Sequence, residues 1–515
     1  MPDELFGHDG RSAPGARAPS AAGLLRYRDR AGRWVLLATV LGSSLAFVDA
    51  TVVNIALPRI GQSLGTSAAA LQWTVNGYGL SLAALVLLGG ALGDRYGRRR
   101  TFITGVVWFA VASLACGLAV DTRLLVAARV LQGVGGALVT PGALAIIGSS
   151  FHPDDRARAI GAWSGLAGIA GAAGPFLGGW LVQVVSWRFV FLINLPVAAA
   201  VVVIARRHVP ETRDPGASGR LDFVGALTAA VALGGLTYGL TAWPARGGAS
   251  APVLGALGLG LGGMLAFLWT ESHTSNPMLP LRVFTSRAFT AANLVTLAVY
   301  AALGGVFFLL GLELQVVAGF SPLAAGTALL PVTGLMLVLS PQGGALGQRL
   351  GPRLPMTVGP LGCAAGLILL SRIGVDARYV RDVLPGVLLM GLGLSATVAP
   401  LTATALGALG DRHAGLASGV NNAVARAAGL LAVAALPLVA GLGKGSLTDA
   451  AVLAPVYRTS MLACAGLLAC GAVLALAGVP GRAALPPASA ERSRLVTRPA
   501  RRPHGRAPTG PGDQA

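Results

Sequence analysis

The sequence predicts an all-α polytopic membrane protein: fourteen apolar helices, read as six, two and six, joined by short basic loops. Three observations carry that reading. Of 515 residues, 54% are hydrophobic and only 11% are charged, with a mean hydropathy of +0.70. A soluble domain of this size needs far more charge to cover its surface. Apolar runs of spanning length recur along the chain. A ten-residue pattern also occurs twice, at 90–99 and 344–353.

A hydrocarbon core of roughly 30 Å takes about 20 helical residues to cross. Such runs lie at 34–57, 72–92, 102–120, 124–147, 159–183, 189–206, 223–243, 252–270, 289–312, 323–346, 355–372, 383–407, 415–441 and 458–479. The 73 glycines would weaken soluble helices, but in lipid they let neighbouring backbones approach closely. Four cysteines (Cys116, Cys363, Cys464, Cys470) sit in apolar runs without metal-ligand spacing and read as packing residues. No metal site is expected.

The formal charge of +19 is distributed as juxtamembrane charge, not as a nucleic-acid footprint, because arginines gather in the two tails and in short loops. With both tails set aside, the loops on one side hold fifteen Lys and Arg and those on the other hold nine. The positive-inside rule then places both termini in the cytoplasm, which requires an even number of spans. The tails, 1–33 and 480–515, are rich in Arg, Pro, Ser and Ala and are expected to be disordered. The first lacks the apolar core of a secretory signal.

The repeat reads GALGDRYGRR in its first copy and GALGQRLGPR in its second, seven matches in ten at an offset of 254. Two related halves, 34–206 and 272–479, follow from it, with a substrate site expected between them near the midplane. The offset is long for six spans, and the pair of spans within 207–271 accounts for the excess.

Five motifs occur in order. Span 1 contains FVDATVVNIALP (Phe47–Pro58), and the loop after span 2 contains Gly90, Leu92, Gly93, Asp94, Arg95, Gly97, Arg98 and Arg99 in the repeat pattern. Span 4 contains Arg129, Gln132, Gly133, Gly135 and Gly136. Span 5 contains Gly174, Pro175, Gly178 and Gly179, and span 6 opens with WRFVFLINLP (Trp187–Pro196). From about Trp34 to Gly478 the chain resembles the fourteen-span drug:proton antiporters of the major facilitator superfamily. The resemblance implies two six-helix bundles plus two extra central helices, a bacterial cytoplasmic membrane, a single working chain, and no cofactor beyond the proton gradient.

Each motif also has a physical reading. Asp49 is an ionisable residue inside a span, which by default marks function; an aspartate hydrogen-bonded for packing alone is the alternative. A carboxyl balanced between desolvation, which favours the neutral acid, and a nearby cation, which favours the carboxylate, can load and release a proton. Arg129 is its natural partner, since Asp49 lies roughly 12 Å from the outer end of span 1 and Arg129 roughly 8 Å from that of span 4. A static buried ion pair is the competing reading. The resemblance implicates Arg129 in proton transfer, and the expectation is that Asp49 carries the proton while Arg129 tunes or competes for it.

The Asp94–Arg100 loop sets topology through its arginines, while the resemblance gives Asp94, Arg95, Gly97 and Arg98 a part in a conformational latch. Because Gln348 replaces the acid in the second copy, the latch is expected to be asymmetric. In span 5, Gly165, Gly168, Gly171 and Gly174 recur at three-residue steps before Pro175. They are expected to leave a groove for a neighbour, with Pro175 bending the helix. By resemblance, the motif Gly174, Pro175, Gly178, Gly179 marks exporters; simple packing is the alternative.

The resemblance nominates Asn54, Trp73, Asn76, Tyr78 and Gln132, with Asn421, Asn422 and Arg426 of span 13, for the substrate cavity. Arg426 sits about 16 Å into its helix, where it could bind an anionic group or pair with a carboxylate. Glu313, near the outer end of span 9, reads equally well as an exposed carboxylate.

The expected function is proton-coupled export of small amphipathic organic compounds by alternating access, with the substrate, protons and the lipid bilayer as partners and nucleic acid as none. Proton-coupled uptake would use the same Asp49 and is disfavoured by the span 5 motif. A membrane enzyme or sensor is the rival from another class. No phosphate-binding G-x-x-x-x-G-K-[ST] loop and no H-E-x-x-H motif occurs, so neither ATP-driven export nor this kind of metal hydrolysis is indicated.

Overall fold

The computed structural model describes residues 24–214, 221–274, 277–410, 414–443 and 445–481. Fourteen of its helices are long and apolar enough to cross a membrane, each corresponding to one expected run. They are α1 (Arg30–Leu64), α2 (Ala68–Tyr96), α3 (Arg98–Gly117), α4 (Thr122–Ser150), α5 (Pro153–Val184), α6 (Phe189–His208) and α7 (Phe223–Arg246). Then follow α8 (Ala251–His273), α9 (Arg287–Val316), α10 (Pro322–Leu350), α11 (Arg353–Leu370), α12 (Tyr379–Gly407), α13 (Gly415–Val439) and α14 (Ala450–Gly478). Of the expected tails, 1–23 and 482–515 lie outside the described residues. The end of the first tail departs from expectation: Leu25 pairs with Phe151 in an isolated bridge, and Arg30 already opens α1.

Local chemistry sets where the helices start and break. Ser67, Asp121, Asp222, Ser286 and Asp449 each accept a hydrogen bond from a backbone N–H in the first turn of the helix that follows, satisfying donors that the helix itself cannot pair. Three spans are irregular in the turn that precedes a proline. α6 breaks at Ile193, before Pro196. α10 breaks at Ala328–Leu329, before Pro331. α12 starts as a π turn over Tyr379–Val383, before Pro385. Proline has no N–H to return to the preceding turn, and its ring crowds that turn's carbonyl.

The repeat is visible in the backbone. Gly97 has φ 114° and Gly351, 254 residues later, has φ 87°; both ends of the repeat turn a helix pair through a conformation that side chains disfavour.

Helices meet where glycine removes the side chain. α2 packs on α4 and α4 on α3, α1 on α5, α11 on α12, and α9 on α13 and α14. α7 and α8 form a close pair; α7 also leans on α2 and α13, while α8 adds only a light contact with the turn Leu281–Thr285. One buried apolar cluster joins Val52–Ile60 of α1 to Phe308–Leu314 of α9. A second, around Phe102, Phe109 and Phe151, lies within the first six helices.

A methyl group added at Gly133 would sit 2.1 Å from Ser81 Oγ and 2.3 Å from the Tyr78 carbonyl, whereas one at Gly148 meets nothing within 4 Å. Gly133→Ala is therefore expected to cost about 1–3 kcal/mol, and Gly148→Ala less than about 0.5 kcal/mol. Thermal unfolding in detergent checks this; equal melting temperatures would contradict the close approach of α2 and α4.

Candidate functional site

Asp49 and Arg129 meet in the interior of the first six helices, with the Asp49 side chain fully buried and that of Arg129 1% exposed. One guanidinium nitrogen donates to Asp49 Oδ2 and to Gln132 Oε1 at 2.6 Å, and Arg129 Nε donates to the Thr74 carbonyl at 2.9 Å. Gln132 Nε2 donates in turn to Asp49 Oδ1 at 2.8 Å and to Ser113 Oγ at 2.7 Å. Asn194, just past the break in α6, donates to Asp49 Oδ1 at 3.4 Å and Ser113 Oγ at 3.3 Å. The guanidinium also lies over the rings of Tyr78, 4.5 Å from the centroid, and Phe191, 5.7 Å. A buried charge pair is tolerable only with its remaining donors and acceptors satisfied, and here α2, α3, α4 and α6 together supply them.

Sequence reasoning placed Gln132 on the cavity wall. It is instead fully buried as the brace of the ion pair, because Arg129 and Gln132 are three residues apart on one face of α4 and so face α1 together. Thr74, Ser113 and Asn194 were missed as members of the cluster. Asn194 lay within a quoted motif, but nothing in its spacing linked it to Asp49.

The other cavity candidates scatter. Tyr78 is buried and donates to the Ala46 carbonyl at 3.3 Å. Trp73 turns toward Tyr238 of α7, ring centroids 6.3 Å apart. Asn54 is buried beside α9, where its carbonyl lies 3.5 Å from the position of a Cβ on Gly311. Asn76 is buried with neither amide atom hydrogen-bonded. In α13, Asn421 donates to Thr296 Oγ1 at 2.7 Å and to Asn293 Oδ1 at 3.3 Å, while Asn422 is exposed and Arg426 half-buried. Asn293, Thr296 and Tyr300 share one face of α9, a polar i, i+3, i+7 stripe that the sequence analysis passed over. Glu313 is fully buried, which overturns its reading as an exposed carboxylate: α9 faces it inward, and neither oxygen has a hydrogen-bond partner.

The span 5 glycines divide. Positions for a Cβ on Gly171, Gly174 and Gly178 fall against Phe47, Thr51 and Val52 of α1, and Thr51 Oγ1 donates to the Gly171 carbonyl at 2.9 Å. Gly179 sits against the Pro322 carbonyl of α10, and Gly326 of α10 against that of Pro175. Gly165 and Gly168, expected to form part of the same groove, face open space. The end of the molecule bearing Pro175–Gly179 is closed by further bonds. Gln315 Nε2 donates to the Ile55 carbonyl at 3.0 Å, Gln72 Nε2 to that of Val433 at 2.8 Å, and Leu323 N to Gln183 Oε1 at 3.2 Å.

At the opposite end, Asp94 pairs with Arg98 at 2.8 Å, and Arg95 lies over the Tyr96 ring. Arg98 N donates to the Thr212 carbonyl at 2.9 Å, and Asp214 N to that of Asp94 at 3.0 Å. Glu211, invisible to sequence reasoning more than a hundred residues away, accepts from the N–H groups of Arg99 and Arg100 at the start of α3, a favoured place for a carboxylate. In the second copy Gln348 and Pro352 stand where Asp94 and Arg98 stand, so both partners of that ion pair are absent.

Removing Arg129 alone strands a buried carboxylate, at a cost of about 3–5 kcal/mol. Arg129→Met is therefore expected to unfold at a lower temperature than the double variant Asp49→Asn/Arg129→Met, with a coupling of at least about 1 kcal/mol. Additive effects in a thermal-shift cycle would contradict the direct pairing.

Residues 39–434 match the profile of the Major Facilitator Superfamily. The chain is 39% identical over 402 residues to the tetracenomycin C resistance and export protein of Streptomyces glaucescens, covering 78% of this chain and 74% of that protein. It is 35% identical over 408 residues to the methylenomycin A resistance protein of Bacillus subtilis, covering 78% and 86%. Among solved structures, a POT family transporter in complex with 5-aminolevulinic acid superposes with a TM-score of 0.64 at 12% identity, over 88% of this chain and 97% of that one. A bacterial homologue of the human lysosomal transporter Spinster, inward-facing and unoccupied, gives 0.61 at 18% identity, over 87% and 97%. At such identities the two structures speak for the fold alone, while the profile and the relatives speak for descent: this chain belongs to the Major Facilitator Superfamily.

Proposed function

We propose that this protein is a proton-coupled antiporter that exports small amphipathic organic compounds by alternating access. In this reading it works as a single chain in a bacterial cytoplasmic membrane, with both termini inside. The observation that carries the reading is the buried Asp49–Arg129 pair, an ionisable group in a span whose helix also packs against the span 5 glycines. The relatives' names, resistance and export proteins for tetracenomycin C and methylenomycin A, favour export over uptake, as does the Gly174–Gly179 motif.

The contacts provide a route from proton to gate. Protonating Asp49 removes one charge of the pair, leaving Arg129 to Gln132 and the Thr74 carbonyl. The hold of α4 on α1 then weakens. The other face of α1 seats Phe47, Thr51 and Val52 on Gly171, Gly174 and Gly178, so α1 and α5 move together. The far end of α5 seats Pro322–Gly326 of α10, a contact that breaks when the closed end opens and re-forms when it closes. With the termini inside, that end faces outward, so Asp49 takes its proton from outside and the substrate leaves while it is open, and protonation frees α1 and α5 to close it again.

Purified protein in proteoliposomes, given an imposed pH gradient and a panel of fluorescent amphiphiles, tests the proposal. Wild type is expected to move dye against the direction of proton flow. Asp49→Asn is expected to lose about tenfold or more of that driven flux while still binding dye. Driven flux unchanged in Asp49→Asn, or dye moving with the protons, would overturn the assignment.

A further inference from the structure

Arg426 is a cation in the middle of α13 whose charge has no carboxylate to meet. Among the described residues it enters no ion pair or hydrogen bond; its recorded contact is with the ring of Phe47 on α1, 5.7 Å from the centroid. Asp49, the nearby acid of α1, is already taken by Arg129, Gln132 and Asn194. Tyr300 of α9 packs on the same stretch of α13, its backbone carbonyl 3.7 Å from the position of a Cβ on Gly429. Unlike Arg129, Arg426 is only half-buried.

An arginine does not shed its proton under accessible conditions, and within a span an uncompensated cation is costly. Its planar fork suits a carboxylate or a comparable oxyanion. Phe47 is anchored at its base, its Cβ lying 3.1 Å from the position of a Cβ on Gly171 of α5. An arginine above an aromatic platform, with a second aromatic residue, Tyr300, on α9, fits a flat ligand that carries an acidic group.

The geometry points to a substrate subsite for anionic aromatic compounds, in which Arg426 takes the acid group and Phe47 carries the ring system. This inference rests on the transport reading and names the class of substrate it would favour. The subsite joins α1 to α13, and thus the helix bearing Asp49 to the last six helices. A bound anion would neutralise Arg426 without competing for Asp49, leaving the proton site free to act.

Equilibrium binding to the purified full-length protein tests it without any gradient, so missing flux fails the transport reading and missing acid preference fails this one. The probes are an anthracene carboxylate, its uncharged carboxamide and the corresponding methylammonium. Wild type is expected to bind the acid roughly tenfold or more tightly than the amide or the ammonium. Arg426→Gln should bring the acid down to the amide's affinity while leaving the amide unchanged, which also reports a folded cavity. Arg426→Lys should keep part of the preference, and Phe47→Leu should weaken acid and amide together. Equal binding of the three probes, preference for the ammonium, no binding of the acid, a preference that survives Arg426→Gln, or unaltered affinities in Phe47→Leu would each overturn the proposal.

Discussion

Two opposite charges buried away from water must be held from every side, and the Asp49–Arg129 pair recruits helices for that purpose. Moving each ion out of water costs several kcal/mol even after relaxation. The offset comes from the pair itself and from the amides of Gln132 and Asn194, the hydroxyl of Ser113 and the carbonyl of Thr74. The relative placement of α1, α2, α3, α4 and α6 is thereby tied to one buried ion pair. A carboxyl that gains and loses its charge, as proposed above, would change that hold, which an apolar core could not.

The glycines join the helix of that pair to its neighbours. Gly171, Gly174 and Gly178 seat Phe47, Thr51 and Val52 of α1, while Gly179 and Gly326 meet the carbonyls of Pro322 and Pro175 backbone to backbone. The stretch of α5 around Gly165 and Gly168 touches nothing at those positions. One glycine-rich helix therefore packs through some of its glycines and not through others, for on that same stretch Trp163 Nε1 donates to Ser43 Oγ of α1 at 2.9 Å. Composition treats these glycines alike; their neighbours distinguish them.

Two repeat copies that share a turn do not share its chemistry. Gly97 and Gly351 both adopt positive φ, since the chain reverses there whatever else is nearby. The Asp94–Arg98 pair, and the capping of α3 by Glu211, belong to the first copy alone. The two halves share the backbone geometry of this turn but not its electrostatics.

The architecture was legible because its determinants are local. Spanning length, the twofold repeat, the excess of arginine on one side and a lone acid in span 1 are all readable within one helix or one loop, and the depths of Asp49 and Arg129 matched on rise per residue alone. Which polar residues share a site was not legible, because that depends on helix rotation and on which helices are neighbours. Gln132 braces the ion pair instead of lining a cavity, Trp73 faces α7, Glu313 points inward, and Asn293, Thr296 and Tyr300 meet α13. By itself, then, the sequence determined an apolar chain of fourteen spans with one acid and one arginine at matching depth. Only the tertiary structure decided the company each polar group keeps, because in a membrane the hydrophobic pattern sets how far a helix sits across the bilayer but leaves its rotation to packing.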